Sequence, residues 1–458
     1  MPDKNLPTPV VLDPDHEIDL VGGRFSGTNA DQLTGAFKKF AQSGARHLYV
    51  FFHGGLVSRE DALQTANWLM KNYTESGAYP FFFIWNSGLL TAIQELLSPH
   101  KEDASFVAAA NRLVALTADK IATVLELDSV LKKRAKVRVH AAPLDLVSLA
   151  DFAEPYEKAW LSGQGAQLLL SKKELAEIGA WLLDLKPEAK GRVLFKKTKV
   201  RGPGNPFGRV IQRLNSGHGH GLYTTVIEEL FIAIGAADAL ADPIWGQMKS
   251  DIDAAFKATS DAGGSAFLQQ LASAYRRDAG IKVTLIGHSA GAIYVQKFIE
   301  EFDRFFASRP DCTVEVITLA AAVSFERMNA GLAAFKQRVN NFRMFGLSDR
   351  REGGYWEIPG IYNKSLLYIV CSLCENDAEA DRPLVGMQRY WSGTRPYDVP
   401  YINAIADFVD SGSVARTVWS PSPASAARGF RSAANRHGGF PEDFQTSESV
   451  CYLLKAGF

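Results

Sequence analysis

Val283-Thr284-Leu285-Ile286-Gly287-His288-Ser289-Ala290-Gly291 joins an apolar run to a G-x-S-x-G turn, and an amphipathic helical pattern leaves it. That context gives the motif its meaning: the serine is a nucleophile when a strand feeds the turn and a helix departs from it. Glycines on either flank let the turn close without side-chain collision, and its central residue is expected in a strained backbone conformation. Ala290, Gly291 and Ala292 are small enough for the helix to pack close to its strand. Val295, Phe298, Ile299 and Phe302 then recur at i, i+3, i+4 and i+7, one helix face turned toward a core.

Upstream, Leu48-Tyr49-Val50-Phe51-Phe52 is nearly continuous apolar sequence, as expected of a strand covered on both faces, and it ends at His53-Gly54-Gly55. Ser58, three residues before Asp61, is placed to cap a helix carrying Leu63, Ala66 and Met70. A second buried strand, Phe81-Phe82-Phe83-Ile84-Trp85, stops at Asn86-Ser87-Gly88. From about Leu90 to about Ala279 the β signals nearly vanish. Helical patterns take over, such as the capping box Ser171-Lys172-Lys173-Glu174 before Leu175, Ile178 and Leu182, with a basic Gly/Pro-bearing stretch from Lys190 to Arg209. Beyond the serine helix, Val314–Leu319, Asn341–Phe345 and Val414–Trp419 read as strands. The pattern is α/β: a mostly parallel sheet flanked by helices over residues 1–90 and 279–458, with a large, mainly helical insertion at 91–278, a candidate cap or lid.

With 458 residues, 47% of them hydrophobic, the chain can bury a large core. Fifty basic and fifty acidic side chains cancel, so nothing global points to nucleic acid or to an acidic partner. Met1-Pro2-Asp3-Lys4-Asn5 leads into charged, Pro-bearing sequence without an apolar core, so no signal peptide is expected. No stretch reaches the ~18 to 20 apolar residues of a membrane span. Four cysteines are too few for a disulfide scaffold, and a cytoplasmic location is expected. The lone pair Cys371-x-x-Cys374 supplies only half of a tetrahedral zinc site and reads as structural. His218-Gly219-His220, with glycine beside both histidines and no nearby Cys or paired carboxylate, reads as a flexible loop rather than a metal site. Basic runs at Lys132-Lys133-Arg134, Lys136 and Arg138, and at Lys196-Lys197, Lys199 and Arg201, fit solvated faces; the other reading is peripheral contact with anionic lipid.

A serine hydroxyl is a poor nucleophile at neutral pH and needs a base, which in turn needs an orienting acid. One histidine follows Ser289 in the chain, His437, in the loop Arg436-His437-Gly438-Gly439 after the last expected strand. Asp349, in the turn Ser348-Asp349-Arg350-Arg351 after the second strand beyond the serine, is the preferred acid; Glu326 is the main rival and Asp377 a weaker one. The oxyanion formed in acyl transfer needs backbone N–H donors fixed in advance. Ala290 should supply one, and the glycine loop the other, from Gly55 first and Leu56 next. His53 is expected to brace that loop, and His288 to point away from the serine hydroxyl.

With the turn, the His53-Gly54-Gly55 loop and the late His437 in order, the chain resembles the α/β-hydrolase superfamily over roughly residues 15–90 and 280–458. The resemblance implies a serine hydrolase of the esterase or lipase type, catalytic residues at the C-terminal ends of the strands, and no cofactor. The substrate would be a carboxylic ester or related acyl compound, small or lipid-like. A peptidase or thioesterase on the same fold, or a non-catalytic binding protein, are the alternatives. The insertion departs from the minimal fold and precedes the nucleophile strand, whereas many caps follow the next one.

Overall fold

The computed structural model describes residues 12–55, 57–85, 88–163, 165–184, 205–375, 377–411 and 414–458. Its strands are β1 (Glu17–Val21), β2 (Arg24–Phe25), β3 (His47–Phe52), β4 (Tyr79–Trp85), β5 (Lys282–His288), β6 (Val314–Leu319), β7 (Val339–Leu347) and β8 (Thr417–Ser420). They form one eight-stranded sheet in the order β2-β1-β4-β3-β5-β6-β7-β8, parallel throughout except for the β1–β2 hairpin. The chain is thus an α/β protein with helices flanking a mostly parallel sheet.

The continuous apolar character of β3, β4 and β5 follows from helices on both faces. On one face, Phe267 of the helix Gly263–Arg277 packs against Phe37 and Phe81 with ring centroids 5.1 and 5.2 Å apart, and Tyr294 stacks on Phe52 at 5.1 Å. On the other, Tyr49, Phe51, Phe82 and Ile84 share a cluster with Leu63, Ala66 and Leu69 of the helix Arg59–Tyr73 and with Leu453 and Leu454 of the C-terminal helix. Each fully buried side chain of this kind contributes about 1.5–3 kcal/mol, which is why the aromatic density concentrates in the central strands.

The expected strands fall within or close to observed ones; the last begins three residues later than expected, at Thr417. Ser58 caps its helix by accepting from the Asp61 amide, and the Ser171–Glu174 box is formed. The β1–β2 hairpin was not anticipated. Its signals are the alternation of Ile18 and Leu20 with charged residues and the Gly22-Gly23 turn, whose φ values of +59° and +76° suit a two-residue hairpin loop. Asp19 is buried there because Arg59 pairs with it at 2.6 Å.

Between β4 and β5 the described residues are helical, without a strand, as the sequence implies. This segment is not a detached module: its last helix, Gly263–Arg277, belongs to the layer covering the sheet, and one continuous apolar cluster runs through both. No described helix is long and apolar enough to cross a membrane. Lys132, Lys133, Arg134, Lys136 and Arg138 lie on the helix Ser129–His140, whereas Lys196, Lys197, Lys199 and Arg201 lie outside the described residues.

Candidate active site

β5 ends at His288 and the helix Gly291–Phe305 begins three residues later, so Ser289 sits on the turn between them. Its φ of +53° is the left-handed conformation that a β-carbon disfavours. The strain is held by backbone bonds: the Ser289 amide donates to Leu319 O at 2.8 Å, and its carbonyl accepts from Ala292 and Ala322 at 3.0 Å. Both motif glycines are required by close approach. A β-carbon at Gly287 would lie 2.7 Å from Gly291 O, and one at Gly291 would lie 2.1 Å from Phe52 O. The helix can therefore reach the end of β3 only because these positions lack side chains.

His437, in the short turn His437–Gly439, places Nε2 2.8 Å from Ser289 Oγ. Both residues are buried, at 1% and 2% exposure. Burial, reinforced by the neighbouring His288, holds the His437 imidazole well below the ordinary histidine pKa of 6.5, so it is a neutral acceptor at physiological pH. His288 donates from Nε2 to the His437 carbonyl at 3.1 Å, which fixes the loop rather than the nucleophile; burial lowers its own pKa to about 4. His53 also acts as a brace: Nδ1 donates to Gly54 O at 2.8 Å and Nε2 accepts the Trp85 amide at 3.0 Å, tying the end of β3 to β4.

The glycine loop lies where the sequence places it. A β-carbon on Gly54 would lie 3.1 Å from the Ser289 β-carbon, and one on Gly55 would lie 3.0 Å from that of Ala290. Among the described residues, neither the Gly55 nor the Ala290 amide donates to a protein acceptor. Leu56, the alternative donor, lies outside the described residues. The same Gly55 β-carbon would lie 2.6 Å from the sulfur of Met248, so the helix Gln247–Ala254 of the insertion covers the loop.

The acid is where sequence and structure part. Asp349 opens the short helix Asp349–Glu352 after β7, but its carboxylate is exposed and accepts from the Tyr368 hydroxyl at 3.0 Å. Glu326 is exposed and pairs with Arg382, as Asp377 does at 3.2 Å. Among the described residues none of these carboxylates meets His437, whose Nδ1 is buried without a partner. The arrangement is a serine–histidine dyad with an unfilled acceptor position behind the imidazole.

The sequence reading also missed two glutamates on the segment after β7. Glu352 is fully buried, its Oε2 accepting from the Ser365 hydroxyl and its Oε1 without a partner among the described residues. Burial raises its pKa to about 8 despite the Ser365 bond, and Asp349 and Glu357 add to the rise; burial also lifts Glu357, to about 7. Folded Glu352 keeps its proton where an unfolded glutamate, near 4.5, has lost it, so its contribution to stability falls as pH rises from about 4.5 to about 8. Glu352→Gln is expected to flatten that slope and to gain on the order of 1–3 kcal/mol relative to wild type at the upper end of the window. Urea denaturation at a series of pH values measures both, and identical slopes in the two chains would contradict the assignment.

His218 and His220 do not form a flexible loop. His220 is 2% exposed in a charged cluster in which Arg213 Nη2 reaches Glu228 at 2.6 Å and Nη1 reaches Glu229 at 3.0 Å. The glycines that suggested flexibility instead let the chain pack tightly: a β-carbon on Gly221 would lie 2.4 Å from Glu157 Oε1. Cys371 and Cys374 are buried free thiols on the wide π-helical turn Val370–Cys374.

No protein-family model, curated protein or solved structure matches the chain.

Proposed function

We propose that this protein is a cytosolic serine hydrolase of the α/β-hydrolase type, acting on a carboxylic ester or related acyl compound. The observation that carries the reading is the 2.8 Å contact between His437 Nε2 and the hydroxyl of a serine held at positive φ on a strand–turn–helix. His437 accepts the Ser289 proton as Oγ bonds to the substrate carbonyl carbon, and the Gly55 and Ala290 amides receive the negative oxygen. The tetrahedral species collapses, its leaving group takes the proton from His437, and the acyl group stays on Ser289. Water then attacks the acyl carbon, losing a proton to His437; the bond to Oγ breaks, Ser289 takes that proton back from His437, and the acid leaves. No cofactor enters this sequence.

Met248 over Gly55, and a serine that is almost fully buried, support a lid role for the insertion, whose apolar helices suit an acyl chain. The basic helix Ser129–His140 fits peripheral contact with a membrane carrying such a substrate. A binding protein on the same fold is the reading favoured by the partnerless His437 Nδ1. Labelling with a fluorophosphonate separates the two: covalent attachment at Ser289 is expected, and a folded chain that stays unlabelled would sink the hydrolase reading.

The depressed pKa of His437 sets the pH response. The base stays neutral to lower pH than an ordinary histidine, so the acid limb of kcat/KM is expected to lie below pH 6.5. A pH–rate profile on an ester that is turned over checks this, and a midpoint above that value would contradict it.

A further inference from the structure

The buried cluster around His220 has the chemistry of a metal centre. His220 enters from the turn ahead of the helix Leu222–Ala233, Cys371 from the turn Val370–Cys374, and Asp381 from the loop beyond it. All three are at most 2% exposed, and their ligand atoms lie within 4.8 Å of one another. His220 Nε2 is 2.9 Å from Asp381 Oδ1 and 3.9 Å from Cys371 Sγ. In a tetrahedral zinc site those two edges would be about 3.3 and about 3.6 Å, within a few tenths of an ångström of those found, and the third, between Asp381 and Cys371, would be about 3.5 Å where the pair now lies within 4.8 Å, so that edge has the most to close.

The surroundings of the histidine point the same way. Its other nitrogen, Nδ1, is 2.8 Å from Glu228 Oε1 and farther, 3.3 Å, from Arg213 Nη2, so the shorter contact places a proton on Nδ1. Metal-bound histidines characteristically donate this second N–H to a carboxylate, which fixes the tautomer and makes the ligating nitrogen more basic. Here Nε2 also faces a carboxylate, and carboxylates only accept. The Tyr390 hydroxyl donates to the same Asp381 oxygen and lies 3.5 Å from Cys371 Sγ, so it stands beside both atoms as an outer partner, and an ion in place of the proton on Nε2 would bond Asp381 and Cys371 directly. Asp381 is already oriented, its Oδ2 accepting from the Tyr397 hydroxyl at 2.5 Å and from His218 Nδ1 at 3.0 Å.

We propose that His220 Nε2, Cys371 Sγ and an Asp381 carboxylate oxygen bind a divalent ion of the zinc class. A thiolate beside an imidazole favours such a borderline-soft ion over magnesium or calcium. Binding forms three bonds to the protein, leaves the fourth tetrahedral position to a water, and releases two protons to solvent, one from the Cys371 thiol and the one between His220 Nε2 and Asp381 Oδ1. The ion ties the turn carrying His220 to the stretch from Cys371 to Asp381, about 150 residues further along the chain. Cys374, the other half of the C-x-x-C, takes no part. This site is separate from Ser289 and stands whether or not the hydrolase reading does.

The test uses the full chain, purified from zinc-supplemented culture and desalted without chelator. Elemental analysis is expected to find about one zinc per chain. Chelator-stripped protein reloaded with cobalt(II) is expected to show a thiolate-to-cobalt charge-transfer band and the visible absorption of tetrahedral cobalt. Cys371→Ser should abolish the charge-transfer band, and Cys374→Ser should leave it. A wild-type chain that retains no zinc and gives no cobalt spectrum overturns the proposal, even if Cys371→Ser does not fold. A charge-transfer band that survives Cys371→Ser overturns it as well.

Discussion

Ser289→Ala is expected to lower kcat/KM on any ester the protein turns over by on the order of 10⁴-fold or more, and His437→Ala to cost about as much. The two losses are similar because the groups act as a unit: without the imidazole the hydroxyl keeps its proton, and without the hydroxyl the imidazole has nothing to activate. Their 2.8 Å contact is the geometric basis of the expectation. Asp349→Asn separates the sequence reading from the geometry. Asp349 is engaged with Tyr368 and not with His437, so the substitution is expected to cost less than about tenfold. Steady-state kinetics on the three variants, with circular dichroism to show that each is folded, checks the set. A loss at Asp349 matching that at Ser289 would mean that the acid reaches His437 in the working enzyme.

Arg213→Met is expected to destabilise the fold by about 3–5 kcal/mol, read as a lower denaturation midpoint in urea. Arg213 is 2% exposed and bonds both Glu228 and Glu229, which are themselves buried. Burial alone would raise the Glu228 pKa, but His220, Arg213 and the Tyr362 hydroxyl outweigh it and hold the carboxyl at about 2. Methionine fills much of the volume but leaves two buried carboxylates with less compensating charge. Arg209, which reaches Glu229 at 2.5 Å, does not extend to Glu228 by any described contact. Arg213→Lys should recover only part of the loss, since one ammonium cannot reproduce the forked contacts to two glutamates. A Met variant as stable as wild type would show that this network contributes little.

Much of the fold was legible because its signals are local. Strand β5, the turn at Ser289 and the helix after it carry their periodicity and glycine spacing within about twenty residues. The pairing of Ser289 with His437 was legible from chain order, since His437 is the one histidine that follows the serine. The β1–β2 hairpin was missed because its strands are only five and two residues long, too short for the alternation to stand out, and Asp19 is held in the interior by Arg59. The His220 cluster was missed for a related reason. Its members fall in two stretches, Arg213 to Glu228 and Cys371 to Asp381, about 150 residues apart, so no single window of sequence shows that the two compensate each other.

The sequence by itself determined the α/β class, the helical character of the long segment before β5, and the pairing of Ser289 with His437. Those properties rest on short-range requirements: side-chain periodicity, capping, and a turn too tight for a β-carbon. Only the tertiary structure decided that Asp349 turns to Tyr368, that Met248 covers the glycine loop, and that His220 is buried among charges. Each of these depends on which distant side chain reaches a polar or apolar group first. Burial then enforces the outcome, because an unpartnered charge in the interior costs more than the contact that satisfies it.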